Sequence, residues 1–173
     1  TGGTGTYILN KAQSFSSATI TGSAAFLAWN NRTINKGRIE LEGIAFDGNR
    51  NPANAGSNTV YSTPILFRQC EGVKISDCTF KTIPGTALAV GTSNNVEITS
   101  NTFDSVFARD DLDNTGDSVT IYAYCENVNV SNNKITLTTG QSGRCGISVD
   151  DFCKNAKVVD NEIITLKING LVI

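Results

Sequence analysis

One phrase recurs along this chain and limits what it can fold into. It reads GRIELEGIAF (37–46), GVKISDCTF (72–80), NVEITSNTF (95–103), NVNVSNNKI (127–135) and NAKVVDNEI (155–163). Each copy carries two apolar residues at alternating positions: Ile39/Leu41, Val73/Ile75, Val96/Ile98, Val128/Val130 and Ala156/Val158. Five residues after the second comes a larger anchor: Phe46, Phe80, Phe103, Ile135 and Ile163. Alternation with period two predicts strands, because successive side chains leave a strand on opposite faces. The anchors recur at unequal intervals while the phrase stays constant. This predicts one structural unit joined by loops of variable length.

A second strand family accompanies the first: PILFRQ (64–69), TALAV (86–90), SVTIYAY (118–124), GISVDD (146–151) and GLVI (170–173). A repeat of about three short strands cannot bury its own face, so copies must stack. The predicted fold is all-β, a right-handed parallel β-helix of about five coils, with residues 1–173 as a single domain. Two slots support the register. Two residues before the anchors stand Ile44, Cys78, Asn101, Asn133 and Asn161, and three aligned asparagines would form an amide ladder along the axis. The second slot holds Asn35, Cys70, Ser93, Cys125 and Cys153, each just after a strand. The chain opens at Thr1 without Met and closes within the strand Leu171-Val172-Ile173, with no capping helix, so it reads as an uncapped piece of a longer solenoid.

Composition excludes several functions. A net charge of −2 gives no basic field for nucleic acid or anionic lipid. No apolar run approaches the roughly 18 residues of a membrane span. His is absent and no two of the 5 Cys form a C-x-x-C pair, which argues against zinc. The scattered cysteines read as small buried residues with free thiols, although Cys125 and Cys153 fall one coil apart, where a disulfide is geometrically possible.

GGTGTYIL (2–9) and IELEGIAFDGNR (39–50) carry a resemblance to the pectate-lyase-like β-helix superfamily, in particular to bacteriophage tailspike and appendage proteins and related bacterial polysaccharide enzymes. The resemblance implies a sugar-polymer substrate on the outer face of a strand stack and a depolymerising hydrolase or lyase. It also implies a homotrimer, on a virion tail or outside the cell. The polygalacturonase branch of that superfamily differs. Gly116 and Asp117 match its G-D, but Ser118 replaces the second aspartate and no His exists. That catalytic set is therefore not carried over.

Glycosidic cleavage usually takes two carboxyl groups. The candidates lie on or beside SVTIY and GISVDD: Asp117 at the start of the first strand, Asp150 and Asp151 at the end of the second. If Ile147 and Val149 point inward, Ser148 and Asp150 point outward, beside Thr120 and Tyr122. The expected patch is Tyr122 and Asp150 with Asp117 at its rim, an aromatic face for sugar C–H groups beside acceptors for hydroxyls. Arg68 and Arg144 sit close to the same strands and are candidate substrate-binding residues, or the base of a lyase. The plainer alternative is that acidic residues at strand ends are solvated turn residues. No cofactor is implied. The acidic loop with Arg109, Asp110, Asp111, Asp113 and Asp117 is a Ca²⁺ site, a lip of the substrate groove or a solvated loop. The polar stretch 47–59 reads as a surface excursion. A non-catalytic receptor-binding or structural segment of a fibre or adhesin is the competing function.

Overall fold

The computed structural model describes residues 18–21, 27–48, 63–83, 85–106, 117–136, 145–164 and 169–172. Among them lie fifteen strands and no helix. They are β1 (Ala18–Thr21), β2 (Leu27–Glu42), β3 (Ile44–Asp47), β4 (Ile65–Ser76), β5 (Thr79–Lys81), β6 (Leu88–Gly91), β7 (Asn94–Thr99) and β8 (Thr102–Asp104), followed by β9 (Val119–Tyr122), β10 (Glu126–Ser131), β11 (Lys134–Thr136), β12 (Cys145–Val149), β13 (Lys154–Val159), β14 (Glu162–Ile164) and β15 (Asn169–Val172). The expected opening strand at 2–9 and most of the loop at 47–59 lie outside the described residues.

Every pairing is parallel and joins one coil to the next. One stack runs β1-β3-β5-β8-β11-β14. The others run β13-β10-β7-β4 and β4-β6-β9-β12-β15, with β2 pairing β4. β4 belongs to both because its first part, Ile65–Arg68, pairs β6 and its later part, Val73–Ser76, pairs β7. It turns the corner at Gln69, whose φ is 59. Equivalent residues of the repeated phrase align: Val73 with Val96, Val96 with Val128, and Val128 with Ala156. The expected register is therefore the observed one.

The core is a set of columns along the axis. Phe46, Phe80 and Phe103 stack with centroids 5.0 and 4.8 Å apart and planes 7° from parallel, and all three are buried. Ile135 continues that column in register with Phe103. Ile65, Leu88, Val119 and Ile147 make a second column, each with no exposed surface. Burying such side chains stabilises by roughly 1.5–3 kcal/mol each, and a one-residue slip would turn the whole column outward.

Corners are left-handed. The residue before the asparagine slot is Gly43, Asp77, Ser100, Asn132 or Asp160, with φ between 53 and 67. Gly, Asn and Asp adopt this region at lower cost than other residues, which explains their recurrence there. The amide ladder forms as expected. The Asn133 side-chain amide donates to Asn161 Oδ1 at 2.9 Å and to the Ile98 carbonyl at 3.0 Å, and Asn133 Oδ1 accepts from the backbone and side chain of Asn101. Asn101 Oδ1 in turn accepts from the Cys78 backbone. One expectation differs. Ala156 stands in the inward row yet is exposed, because β13 is the last strand of its stack among the described residues.

Candidate functional site

The corner that follows β6, β9 and β12 carries the candidate site. Register places Arg68 beside Gly91 and Gly91 beside Tyr122. Asp150 extends the row one coil further, since Val149 pairs Ile121 and the Asp150 backbone N–H donates to the Ile121 carbonyl. Gly91 decides the geometry. A Cβ there would stand 2.7 Å from the Tyr122 ring, so only a residue without a side chain lets the ring lie across this coil. The ring thereby reaches Arg68 two coils away. Arg68 Nε donates to the Tyr122 hydroxyl, and the guanidinium carbon lies 5.2 Å from the ring centroid. That cation–π contact and hydrogen bond hold an exposed arginine in one place.

Asp150 is half-buried and accepts a hydrogen bond from Ser148 Oγ at 2.7 Å. Ile147 and Val149 point inward and are buried, as expected. Ser148 is a correction. It occupies the outward row, yet none of its surface is exposed, and Ala89 in the same row is also buried. Leu66 and Thr120 in that row are half-buried, as are Tyr122 and Asp150 two residues along, so only Ala89 and Ser148 are closed off. Asp151 is exposed, in a left-handed turn at φ 54. β9 and β12 also stop earlier than expected, at Tyr122 and Val149, because Ala123, Tyr124, Asp151 and Phe152 all take positive φ.

Asp117 is the larger correction. It is 2 % exposed and does not stand at the rim. Its Oδ1 accepts from the Cys145 backbone of the next coil at 3.1 Å, and its Oδ2 accepts from Thr120 Oγ1 at 2.7 Å. A buried carboxylate bound this way ties two coils together. Asp117 and Asp150 also lie at opposite ends of the same strand row. Five residues of extended chain separate their levels, about 16 Å, against the roughly 5–9.5 Å between paired glycosidase carboxyls. Arg144 and the loop residues Arg109, Asp110, Asp111 and Asp113 lie outside the described residues.

The cysteine slot forms as expected, and none of the five cysteines is in a disulfide. The Cys70 backbone N–H donates to Ser93 Oγ at 3.1 Å, and the Ser93 backbone N–H donates to Cys125 Sγ at 3.4 Å. Burial pushes the thiols of Cys70, Cys78 and Cys153 up, and that of Cys125 to about 11. A thiol that stays protonated is a poor nucleophile.

Two residues escaped sequence reasoning. Tyr124 and Phe152 are 63 and 75 % exposed and stack on each other, with centroids 5.4 Å apart and planes 14° from parallel. The signal was present: each directly precedes a cysteine of the aligned slot, Cys125 or Cys153. Gly91 was overlooked too, since a glycine at a strand end looks like an ordinary turn residue.

Parallel coils, inward columns and a polar–aromatic row on the outer corner define a β-solenoid of the kind that fits polysaccharide-binding or polysaccharide-processing proteins generally. The family model described as "Right handed beta helix region" matches residues 42–173. The chain belongs to that family. No curated protein and no solved structure matches it.

Proposed function

We propose that this protein recognises a polysaccharide along the outer corner of the β6-β9-β12 stack. Arg68, Tyr122 and Asp150 provide its polar contacts, with Asp151 beside them. The observation that supports this is the fixed Arg68–Tyr122 pair over Gly91. A guanidinium, a phenol and a carboxylate line up on one row, the first exposed and the other two half-buried, and are donor and acceptor groups of the kind that sugar hydroxyls meet. In the wider form of this proposal the chain is part of a phage tailspike or appendage, homotrimeric, on the virion tail or outside the cell.

Depolymerisation of the bound glycan has Asp150 as its candidate acid or base. A second reading, a receptor-binding segment without cleavage, is favoured by one observation: Asp117 is buried, and its level on the strands lies about 16 Å from that of Asp150, beyond glycosidase spacing. The two are separated by incubating the protein with bacterial capsules, teichoic acids and pectins and assaying new chain ends. Products that vanish with Asp150→Asn support the enzyme. Retention on a glycan without products, weakened by Tyr122→Ala, supports the receptor. Retention on no glycan sinks both.

A further inference from the structure

We infer that Tyr124 and Phe152 form a stacking subsite for uncharged sugar rings, continuous with the Arg68–Tyr122–Asp150 row; this rests on the glycan reading above. Other aromatic side chains of the solenoid, Phe46, Phe67, Phe80 and Phe103, are turned inward and buried. These two are turned out, on the corner that carries the polar row.

The corner is built to present them. Between Arg68 and Cys70, and between Gly91 and Ser93, one residue makes the turn; between Tyr122 and Cys125, and between Asp150 and Cys153, two do. Both residues of each widened turn are left-handed, with φ of 54 and 66 at Ala123 and Tyr124 and of 54 and 62 at Asp151 and Phe152. That conformation costs a side-chain-bearing residue roughly 1–2 kcal/mol, and glycine would adopt it freely. The solenoid accepts the cost twice, on adjacent coils, and gains two stacked rings facing solvent.

Their surroundings indicate the ligand. Thr92, Asn127 and Asp151 are exposed, and Asp150 is half-buried, so polar groups border the apolar rings. Such a surface suits a ligand with a C–H face and a rim of hydroxyls. The local charge is acidic among the described residues. Asp150 and Asp151 outweigh the single positive charge of Arg68, which its contact with the neutral Tyr122 ring leaves in place, and Lys154 pairs with Glu126 at 3.6 Å. A uronate chain would bring carboxylates against carboxylates, which is costly; a neutral hexose chain would not. A second copy of this chain is a weaker occupant. Two aromatic side chains offer at most about 250 Å² each, well short of the roughly 800 Å² per partner of a stable interface.

The test is affinity electrophoresis of the intact protein in gels containing β-glucan, galactomannan or dextran, with polygalacturonate as the anionic comparison. Retardation by a neutral polymer is expected, weakened about tenfold by Phe152→Ala or Tyr124→Ala, the equivalent of roughly 1.4 kcal/mol, and retained by Phe152→Trp. Neutral-glycan retardation that survives the double alanine variant overturns the subsite and leaves the glycan reading standing. Ring-dependent retardation in polygalacturonate overturns the neutral class. A fall in mass by light scattering in the double variant, with retardation unchanged, reassigns the rings to a contact between copies. Retardation in no gel overturns the neutral-sugar subsite and leaves the glycan reading to the capsules and teichoic acids tested above. Circular dichroism on each variant confirms that the coils remain folded.

Discussion

Two corners of the solenoid solve the same backbone problem in opposite ways. At the corner before β5, β8, β11 and β14 a left-handed residue is followed by Cys78, Asn101, Asn133 or Asn161, whose polar groups point inward and bond from coil to coil. At the corner after β6, β9 and β12 the left-handed residues are Thr92, Ala123, Tyr124, Asp151 and Phe152, and all but the half-buried Ala123 are exposed. The first corner keeps its width on every described coil. The second gains a residue on two coils and spends the extra length on exposed rings. An inward corner is constrained by desolvation, since every buried amide must find partners. An outward corner has water as a partner, so it is free to vary and to take on recognition.

That contrast can be broken most directly at the ladder. Asn133→Leu removes the acceptor of the Asn101 amides and the donor to the Ile98 carbonyl. Leaving several buried groups unpaired is expected to cost about 3–5 kcal/mol, read as a lowered urea midpoint with the slope unchanged. A loss below about 1 kcal/mol would mean that this corner is no more constrained than the other.

Gly91→Ala tests the outward corner from beneath. The new methyl displaces the Tyr122 ring rather than any backbone, so the fold is retained. We expect a loss of about 1–2 kcal/mol, within the usual overpacking range, and release of Arg68. Glycan affinity should fall as far as it does in Tyr122→Ala. Equal affinity in Gly91→Ala and the parent would detach the Arg68–Tyr122 pair from recognition.

Alkaline titration sharpens the comparison at the cysteine slot beneath the rings. The folded state holds the Cys125 thiol protonated up to about 11, because burial disfavours the thiolate, against an ordinary value of 9.0. Proton linkage then sets the sign. The contribution is fully present below pH 9.0 and is lost as pH rises towards about 11, since the unfolded chain releases its proton first. Chemical denaturation at stepped pH should show this decline in the parent and a shallower one in Cys125→Ala. Identical slopes would contradict a desolvated thiol.

The smallest effect is expected at the rings. Phe152→Gly relieves a left-handed phenylalanine but removes a stacked pair worth about 0.5–1.5 kcal/mol. The two terms oppose each other, and the melting temperature should barely move. A strongly destabilised Phe152→Gly would make the outward corner structural after all.

The repeated phrase alone determined the fold class, the parallel register, the phenylalanine column and the asparagine ladder. These follow from residue type at fixed spacing: alternation sets which face is buried, and stacking of identical slots does the rest. The candidate site was legible only in part. Arg68, Tyr122 and Asp150 were placed near one another because they end equivalent strands. Asp117 was misplaced because alternation tells which way a side chain points and is silent on what covers it. Tertiary structure decided three further matters. The neighbouring coil turned Asp117 into a buried acceptor for the Cys145 amide. The missing side chain of Gly91 became a berth for a ring from the next coil. The one-residue widening of two turns set Tyr124 over Phe152 in the solvent. Each depends on what lies one coil away, a distance of 20 to 35 residues along the chain but about 4.8 Å through space, and no local pattern carries that information.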